Sequence, residues 1–342
     1  MKFRTLSPSF PKVSEIGFGV WTVATTWWGI KEPSFGIQLL REARGQGINF
    51  FDTADVYGKG LGETILAEAF GESIKDPIIA TKFGYDWETV GERTGHGELP
   101  QDWSPKAIRK SCEGSLRRLN RDWIDLYQLH NPRIEIVRSD EIIKTLETLK
   151  EEGKIRDYAC ALGPDIGWFE EGRVAVEESR YPVLQVIYSL LEQDPTAQLL
   201  PIAERCGAGL IVRVPHASGL LDGSYNPNKH FEKSDHRSHR KELWMKAGLE
   251  AVERMKSLLS DERTLAQSAL LFTLHPSSVA TVLPNFTNKE QIRDFVASLE
   301  KPPLTQKEVS SVRELWKNEL VVKLDQPFAD SSSKPTPVKQ ST

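Results

Sequence analysis

Cysteine is scarce and scattered in this chain. Its 342 residues include three, Cys112, Cys160 and Cys206, with neither a disulfide framework nor the paired spacing of zinc ligands, the usage of a protein kept in a reducing compartment. Long apolar runs are missing as well. The longest notable uncharged stretch, residues 16–30, is too short to span a bilayer and too rich in Gly and Thr, and the opening Met1-Lys2-Phe3-Arg4 leads into no apolar segment, so neither secretion nor insertion is expected. No charge of one sign dominates. Lys and Arg total 44 against 48 Asp and Glu, a net charge of −4, which offers no electrostatic basis for binding nucleic acid or an anionic membrane. The Gly-x-Gly-x-x-Gly turn of dinucleotide-binding sheets is absent too, since Gly58-Lys59-Gly60-Leu61-Gly62 has the wrong spacing. These absences point to a cytoplasmic protein that acts on a small molecule and needs no metal.

What is present is a full complement of core-forming residues, 39% hydrophobic against 27% charged, and a regular alternation of elements. Short apolar, β-branched runs are centred near Gly17, Phe50, Ile79, Leu126, Ala159, Ile187, Val212 and Val282, with helix-like segments between them. Ser104-Pro105 reads as an N-cap followed by proline in the first turn, and Ile108, Cys112, Leu116 and Leu119 then share one face. A second helix runs through Ile142, Leu146 and Leu149 to Gly153, and a third lies between Ser34 and Gly47. Eight strands alternating with helices predict an α/β fold, a (β/α)8 TIM barrel in a single domain over residues 1–326, with an N-terminal extension and a disordered polar tail over 327–342. The last step, 70 residues from Val212 to Val282, implies an insertion.

In such a barrel the chemistry belongs at the C-terminal strand ends and in the loops that follow. The second strand runs into Asp52 and then Tyr57, the third ends in Lys82, and the fourth ends in His130. Any one of these has an ordinary structural reading, but together they form an acid–base set. A phenol gives up its proton readily at neutral pH only beside positive charge, an ammonium at a buried site needs a counter-ion, and an imidazole can donate a hydrogen bond to a substrate oxygen. Trp21, Trp27 and Trp28 follow the first strand at the same mouth and are expected to wall an apolar substrate pocket. Trp87 and Trp103 bracket the loop after the third strand. His230, His236, Arg237, His239 and Arg240 lie in the long insertion and read as a solvated loop.

At Phe51-Asp52-Thr53-Ala54-Asp55-Val56-Tyr57-Gly58, Thr81-Lys82, Ile124-Asp125-Leu126-Tyr127-Gln128-Leu129-His130-Asn131-Pro132 and Gly153-Lys154-Ile155-Arg156 the chain resembles the aldo-keto reductase family. The resemblance implies a TIM barrel that binds NAD(P)H without a Rossmann turn and reduces an aldehyde or ketone, its small-molecule substrate. It would make Tyr57 the proton donor, Lys82 and Asp52 the pair that tunes it, and His130 the group that orients the carbonyl. It further implies that Gln185 binds the nicotinamide carboxamide. Pro215, His216, Ser218, Gly219 and Leu220 would belong to the loop over the pyrophosphate, and Asn285, Thr287 and Gln291 to the segment at the adenosine end.

The sequence departs from the family pattern in three places. Ala161-Leu162 stand where Ser-Asn is common, Arg213 stands where an aromatic residue often stacks on the nicotinamide, and Asn285 and Thr287 stand where a cation often grips the 2′-phosphate. NADPH is therefore expected to be preferred only modestly, with NADH also usable. Two other readings fit the same residues: a cofactor-binding, redox-sensing regulatory subunit with little turnover, and a Schiff-base lyase using Lys82.

Overall fold

The computed structural model describes residues 1–89, 98–163, 168–223 and 242–320. A two-stranded hairpin, β1 (Phe3–Arg4) and β2 (Val13–Ser14), precedes eight parallel strands: β3 (Phe18–Gly19), β4 (Phe50–Asp52), β5 (Ile78–Phe83), β6 (Ile124–His130), β7 (Ile155–Ala161), β8 (Val183–Ile187), β9 (Gly209–Arg213) and β10 (Val279–Leu283). Each pairs with the next in chain order. The ring closes where Ile16 bridges Val282, with Gly17 N–H donating to the Val282 carbonyl at 2.8 Å. All eight expected strands are present in a (β/α)8 barrel.

The crossover helices begin and end where the sequence signals them. Ser104 caps the helix Pro105–Leu119 by accepting from Ala107 N–H at 3.3 Å, which leaves Ile108, Cys112 and Leu119 buried on the barrel side. Ser139 caps Asp140–Glu151 in the same way, and the chain turns out through Gly153 at φ 72°. The long last step contains the extra helix Glu242–Lys256 ahead of the crossover helix Leu265–Thr273. The insertion histidines and arginines at 230–240, the glycines of 91–97 and the tail at 327–342 lie outside the described residues.

Strand side chains alternate between the barrel interior and the surrounding helices. In the lower interior, Phe50, Ile78, Ala80, Leu126, Ala159, Val183, Ile211 and Ala280 pack with Leu6, Phe10 and Val13 from the N-terminal extension, which closes that end. The approach is tight at Gly209, where a Cβ would fall 2.0 Å from the Leu6 carbonyl oxygen. Arg4 fastens the extension by donating from Nη1 to the carbonyls of Leu274, Pro276 and Val279 at 2.8, 3.2 and 2.7 Å, and from Nε to Glu15 at 2.6 Å.

Candidate active site

Two residues further along the same strands, the alternation brings polar groups inward: Asp52 on β4, Lys82 on β5, Gln128 on β6, Gln185 on β8 and Arg213 on β9, with His130 at the end of β6. Lys82 is 1% exposed, and its Nζ donates to Asp52 Oδ1 at 2.5 Å and to the Thr53 carbonyl at 2.8 Å. The second carboxylate oxygen, Asp52 Oδ2, accepts from Gln128 Nε2 and from Gln185 Nε2, both at 2.8 Å. A buried ion pair is tolerated only when its remaining donors and acceptors are satisfied, and the two amides supply what Asp52 lacks.

Tyr57 lies in the loop after β4. Lys82 Nζ is 5.1 Å from the centre of its ring, the His130 ring is 5.9 Å away edge-on, and Trp21 is 6.4 Å away. The loop reaches this position through Gly58 at φ 58°, where a Cβ would sit 2.3 Å from the Ala24 carbonyl oxygen, so only glycine lets the turn close against the short helix Trp21–Ala24. Burial holds the His130 imidazole well below its usual pKa, with Lys82 and Arg213 adding like-charge repulsion. The ring is therefore neutral at pH 7 and carries one N–H donor. Its Nδ1 is buried with no hydrogen-bond partner among the described residues. Asp52, Tyr57, Lys82 and His130, drawn from three strands and a loop, thus meet at one end of the barrel.

The other residues named from sequence fall around this cluster in different ways. Trp21 meets Trp27 and Trp28 edge-on, each at 5.9 Å, forming an indole wall that continues onto Tyr57. Trp103 packs on Phe83 at 5.8 Å, and Trp87 lies under the Arg118 guanidinium at 5.4 Å, which places both in packing. Arg213 Nη2 donates to the Leu162 carbonyl at 2.6 Å, while its Nε is buried with no partner among the described residues. Beyond Arg213 the backbone enters left-handed conformations at Val214 (φ 58°), Ala217 (φ 46°), Ser218 (φ 57°) and Gly219 (φ 96°). Three of these four carry a Cβ, and such strain concentrates at ligand-holding segments. Pro215, His216, Ser218 and Gly219 are buried in this turn, with His216 Nε2 3.2 Å from the Ala266 carbonyl, and Leu220 is packed into the core. Thr287 donates from N and Oγ1 to Gln291 Oε1 at 2.8 and 2.9 Å, and Thr22 Oγ1 donates to Asn285 Oδ1 at 3.2 Å.

Three neighbours of the cluster were not singled out from the sequence. Gln128 sits in phase with His130 on β6, and that phase was the available signal. Tyr85 packs edge-on to His130 at 4.9 Å, its hydroxyl accepting from Asn131 Nδ2 at 2.7 Å and donating to Glu98 Oε1 at 3.0 Å, and burial pushes its pKa up. Asp55, two residues before Tyr57, accepts from Ser111 Oγ at 2.6 Å, and burial, reinforced by Glu63, pushes its carboxyl up to about 7. Glu63 itself accepts from Thr81 Oγ1 and Arg118 Nε, both at 2.6 Å. Among the described residues no cluster of His, Cys, Asp and Glu could hold a metal ion, and no helix is long and apolar enough to cross a membrane.

Comparison with known proteins places this geometry in context. The model of the aldo/keto reductase family matches residues 15–317. Among curated proteins, the chain is 28% identical over 313 residues to an NADH-specific methylglyoxal reductase of Escherichia coli, covering 87% of this chain and 94% of the relative. Among solved structures, it superposes on an aldo-keto reductase of Bacillus halodurans in its holo form with a TM-score of 0.74 at 30% identity, over 92% of this chain and 96% of that one. A glycerol dehydrogenase of Gluconobacter oxydans gives a TM-score of 0.76 at 26% identity, over 99% and 98% of the two chains.

Proposed function

The chain belongs to the aldo/keto reductase family of oxidoreductases, and from that premise we propose that it reduces an aldehyde or ketone to the alcohol with NADPH, Tyr57 donating the proton. The observation that carries this reading is the buried Lys82–Asp52 pair, 2.5 Å apart, with its ammonium 5.1 Å from the Tyr57 ring.

Reduced nicotinamide, when bound, supplies hydride to the carbonyl carbon. The chain's own residues deal with the oxygen. Neutral His130 donates a hydrogen bond that orients it, and Tyr57 delivers a proton as negative charge develops there, so the charge is met as it forms. Lys82 steadies the phenolate that remains, and Asp52 keeps the ammonium in place. Trp21, Trp27 and Trp28 wall the apolar side of the substrate.

Features of the site suit a nicotinamide. Gln185 presents a buried amide to the carboxamide, and the Arg213 guanidinium, anchored through Nη2 on the Leu162 carbonyl, would lay its face against the ring. The strained turn from Val214 to Gly219 would hold the pyrophosphate, with Pro215, His216, Ser218 and Gly219 in it and Leu220 directly after it. Asn285, Thr287 and Gln291 would meet the adenosine end. These bring no cation to a 2′-phosphate, so the preference for NADPH over NADH is modest. The E. coli relative, named for NADH, marks the competing choice. The protein works in the cytoplasm on a small carbonyl compound.

The test is NADPH and NADH oxidation with a panel of aldehydes, for the wild type and Tyr57→Phe. The variant should lose at least ~10²-fold in kcat while cofactor affinity stays nearly unchanged, because only the transferable proton is gone. A Tyr57→Phe protein with wild-type turnover overturns the assignment.

A further inference from the structure

The His130 imidazole gets no hold from its Nδ1, which is buried with no partner among the described residues. In a histidine that donates from one ring nitrogen, a hydrogen bond at the other usually fixes the ring. A hydrogen bond weakens steeply once its angle falls below ~120°, so a ring with one N–H to give must have its plane held by something else. Among the described residues two rings meet it edge-on, Tyr57 at 5.9 Å and Tyr85 at 4.9 Å. Tyr57 is the proposed proton donor, which leaves Tyr85 as the ring whose part is to hold.

Tyr85 is itself fixed from several sides. Its backbone bridges Gln101 in antiparallel fashion, with Asp86 N–H donating to the Pro100 carbonyl at 2.8 Å and Asp102 N–H to the Gly84 carbonyl at 2.9 Å. The Gln101 side chain then reaches the end of β6, its Nε2 donating to the carbonyls of His130 and Asn131 at 3.0 and 3.2 Å. The Tyr85 hydroxyl accepts from Asn131 Nδ2 at 2.7 Å and gives its one proton to Glu98 Oε1 at 3.0 Å. Glu98 Oε2 accepts in turn from Arg133 Nη2 at 2.9 Å, and that guanidinium lies 4.4 Å from the centre of the Trp168 ring. Backbone and ring of one strand end are thus gripped by the same short hairpin, and the phenol has no proton left for a substrate.

We propose that Tyr85 is a positioning residue whose ring edge fixes the plane of the His130 imidazole and keeps water from it, so that the imidazole N–H is presented to the carbonyl oxygen. This rests on His130 orienting that oxygen, as proposed above. Burial is the main cause that holds His130 unprotonated, with Lys82 on β5 and Arg213 on β9 adding repulsion. Tyr57 faces the ring from its own loop, and Glu98 is paired with Arg133. Removing Tyr85 leaves all these charges in place and admits water, so a change in His130 reports lost cover.

The test has two arms on the same proteins: an NMR pH titration of the His130 ring in ligand-free protein, its signal assigned with His130→Gln, and NADPH oxidation per folded molecule. In Tyr85→Ala the pH at which His130 protonates should rise toward the ordinary imidazole range. Its kcat should fall about tenfold, less than the ~10²-fold that losing a donor to the developing charge costs. Tyr85→Phe keeps the ring edge and should match the wild-type titration, with kcat within about twofold. Tyr85→Leu keeps apolar bulk without a planar edge; it should leave His130 unprotonated and still lose about tenfold in kcat, and it serves if the Ala variant does not fold.

Tyr85→Ala with a wild-type titration and a wild-type rate overturns the proposal. So does Tyr85→Phe as slow as Tyr85→Ala, or Tyr85→Leu as fast as the wild type. A wild-type His130 that protonates in the ordinary range overturns this inference alone, before any variant is made. Wild-type protein that oxidises no NADPH overturns the proposed function, and the ligand-free titration still decides whether Tyr85 covers His130.

Discussion

The lower and upper halves of the barrel interior are built on the same strands and differ by one step of the pleat. Phe50, Ala80, Leu126, Val183 and Ile211 line an apolar layer sealed by Leu6, Phe10 and Val13. Two residues later on each strand stand Asp52, Lys82, Gln128, Gln185 and Arg213. About 7 Å of strand separates the two layers, yet one is held together by excluded water and the other by a closed network of charge and amides. The difference teaches that strand phase places the chemistry. A residue's neighbours in sequence matter less than whether it points inward and how near it lies to the open end.

Breaking the upper layer should have the largest effect. Lys82→Met leaves the Asp52 carboxylate buried without its cation, so we expect about 3–5 kcal/mol of lost stability and at least ~10²-fold lower turnover. Asp52→Asn added to Lys82→Met should restore most of the stability and none of the rate, which separates the two roles of this one ion pair. Chemical denaturation and NADPH oxidation on the three proteins check this, and a double variant as unstable as the single one would mean that the unpaired charge is not the cause.

The lower layer should fail differently. Leu126→Ala empties a fully buried position two residues from Gln128 and should cost about 2–5 kcal/mol. The rate per folded molecule should stay within about twofold, as expected of sites that share no partners. A large fall in kcat with stability intact would show that the apolar floor helps set the geometry of the acid–base groups.

The smallest effect lies just outside the barrel, at Asp55. Its carboxyl is raised from 3.8 to about 7 by burial and by Glu63, against the opposing pull of Arg118 and the hydrogen bond from Ser111, with Trp87 also nearby. A raised carboxyl means that the folded chain binds a proton the unfolded chain has released. Asp55 therefore adds no penalty below about pH 4, and the penalty grows through pH 7 to its full value above. Asp55→Asn should gain on the wild type between pH 5 and pH 8 by up to about 3 kcal/mol. Thermal melts of both proteins at the two pH values test it, and parallel melts would remove Asp55 from the account.

The sequence disclosed the eight strands, their caps and the convergence of Asp52, Lys82 and His130, because period-two alternation and turn residues are local properties of each element. Tyr57 followed from its distance past a strand end. Gln128 was visible in the same strand as His130, but a lone glutamine carries no charge to draw attention, and its meaning comes from Asp52 and Gln185, 76 and 57 residues away. The Asp55, Glu63, Ser111 and Arg118 cluster is harder still, since a strand-end loop and two helices supply it and no spacing joins them.

Arg4 has its carbonyl partners 270–275 residues away, and the Ile16–Val282 bridge joins the first barrel strand to the last. During synthesis, then, the floor of the barrel cannot be laid when its own residues leave the ribosome. The opening segment must wait, with Leu6, Phe10 and Val13 uncovered, until β10 has emerged, and closure becomes one of the latest events in folding. A chain of this design is most exposed to misassembly along the segment from Arg4 to Val13, and a chaperone that shields apolar side chains would have its longest task there.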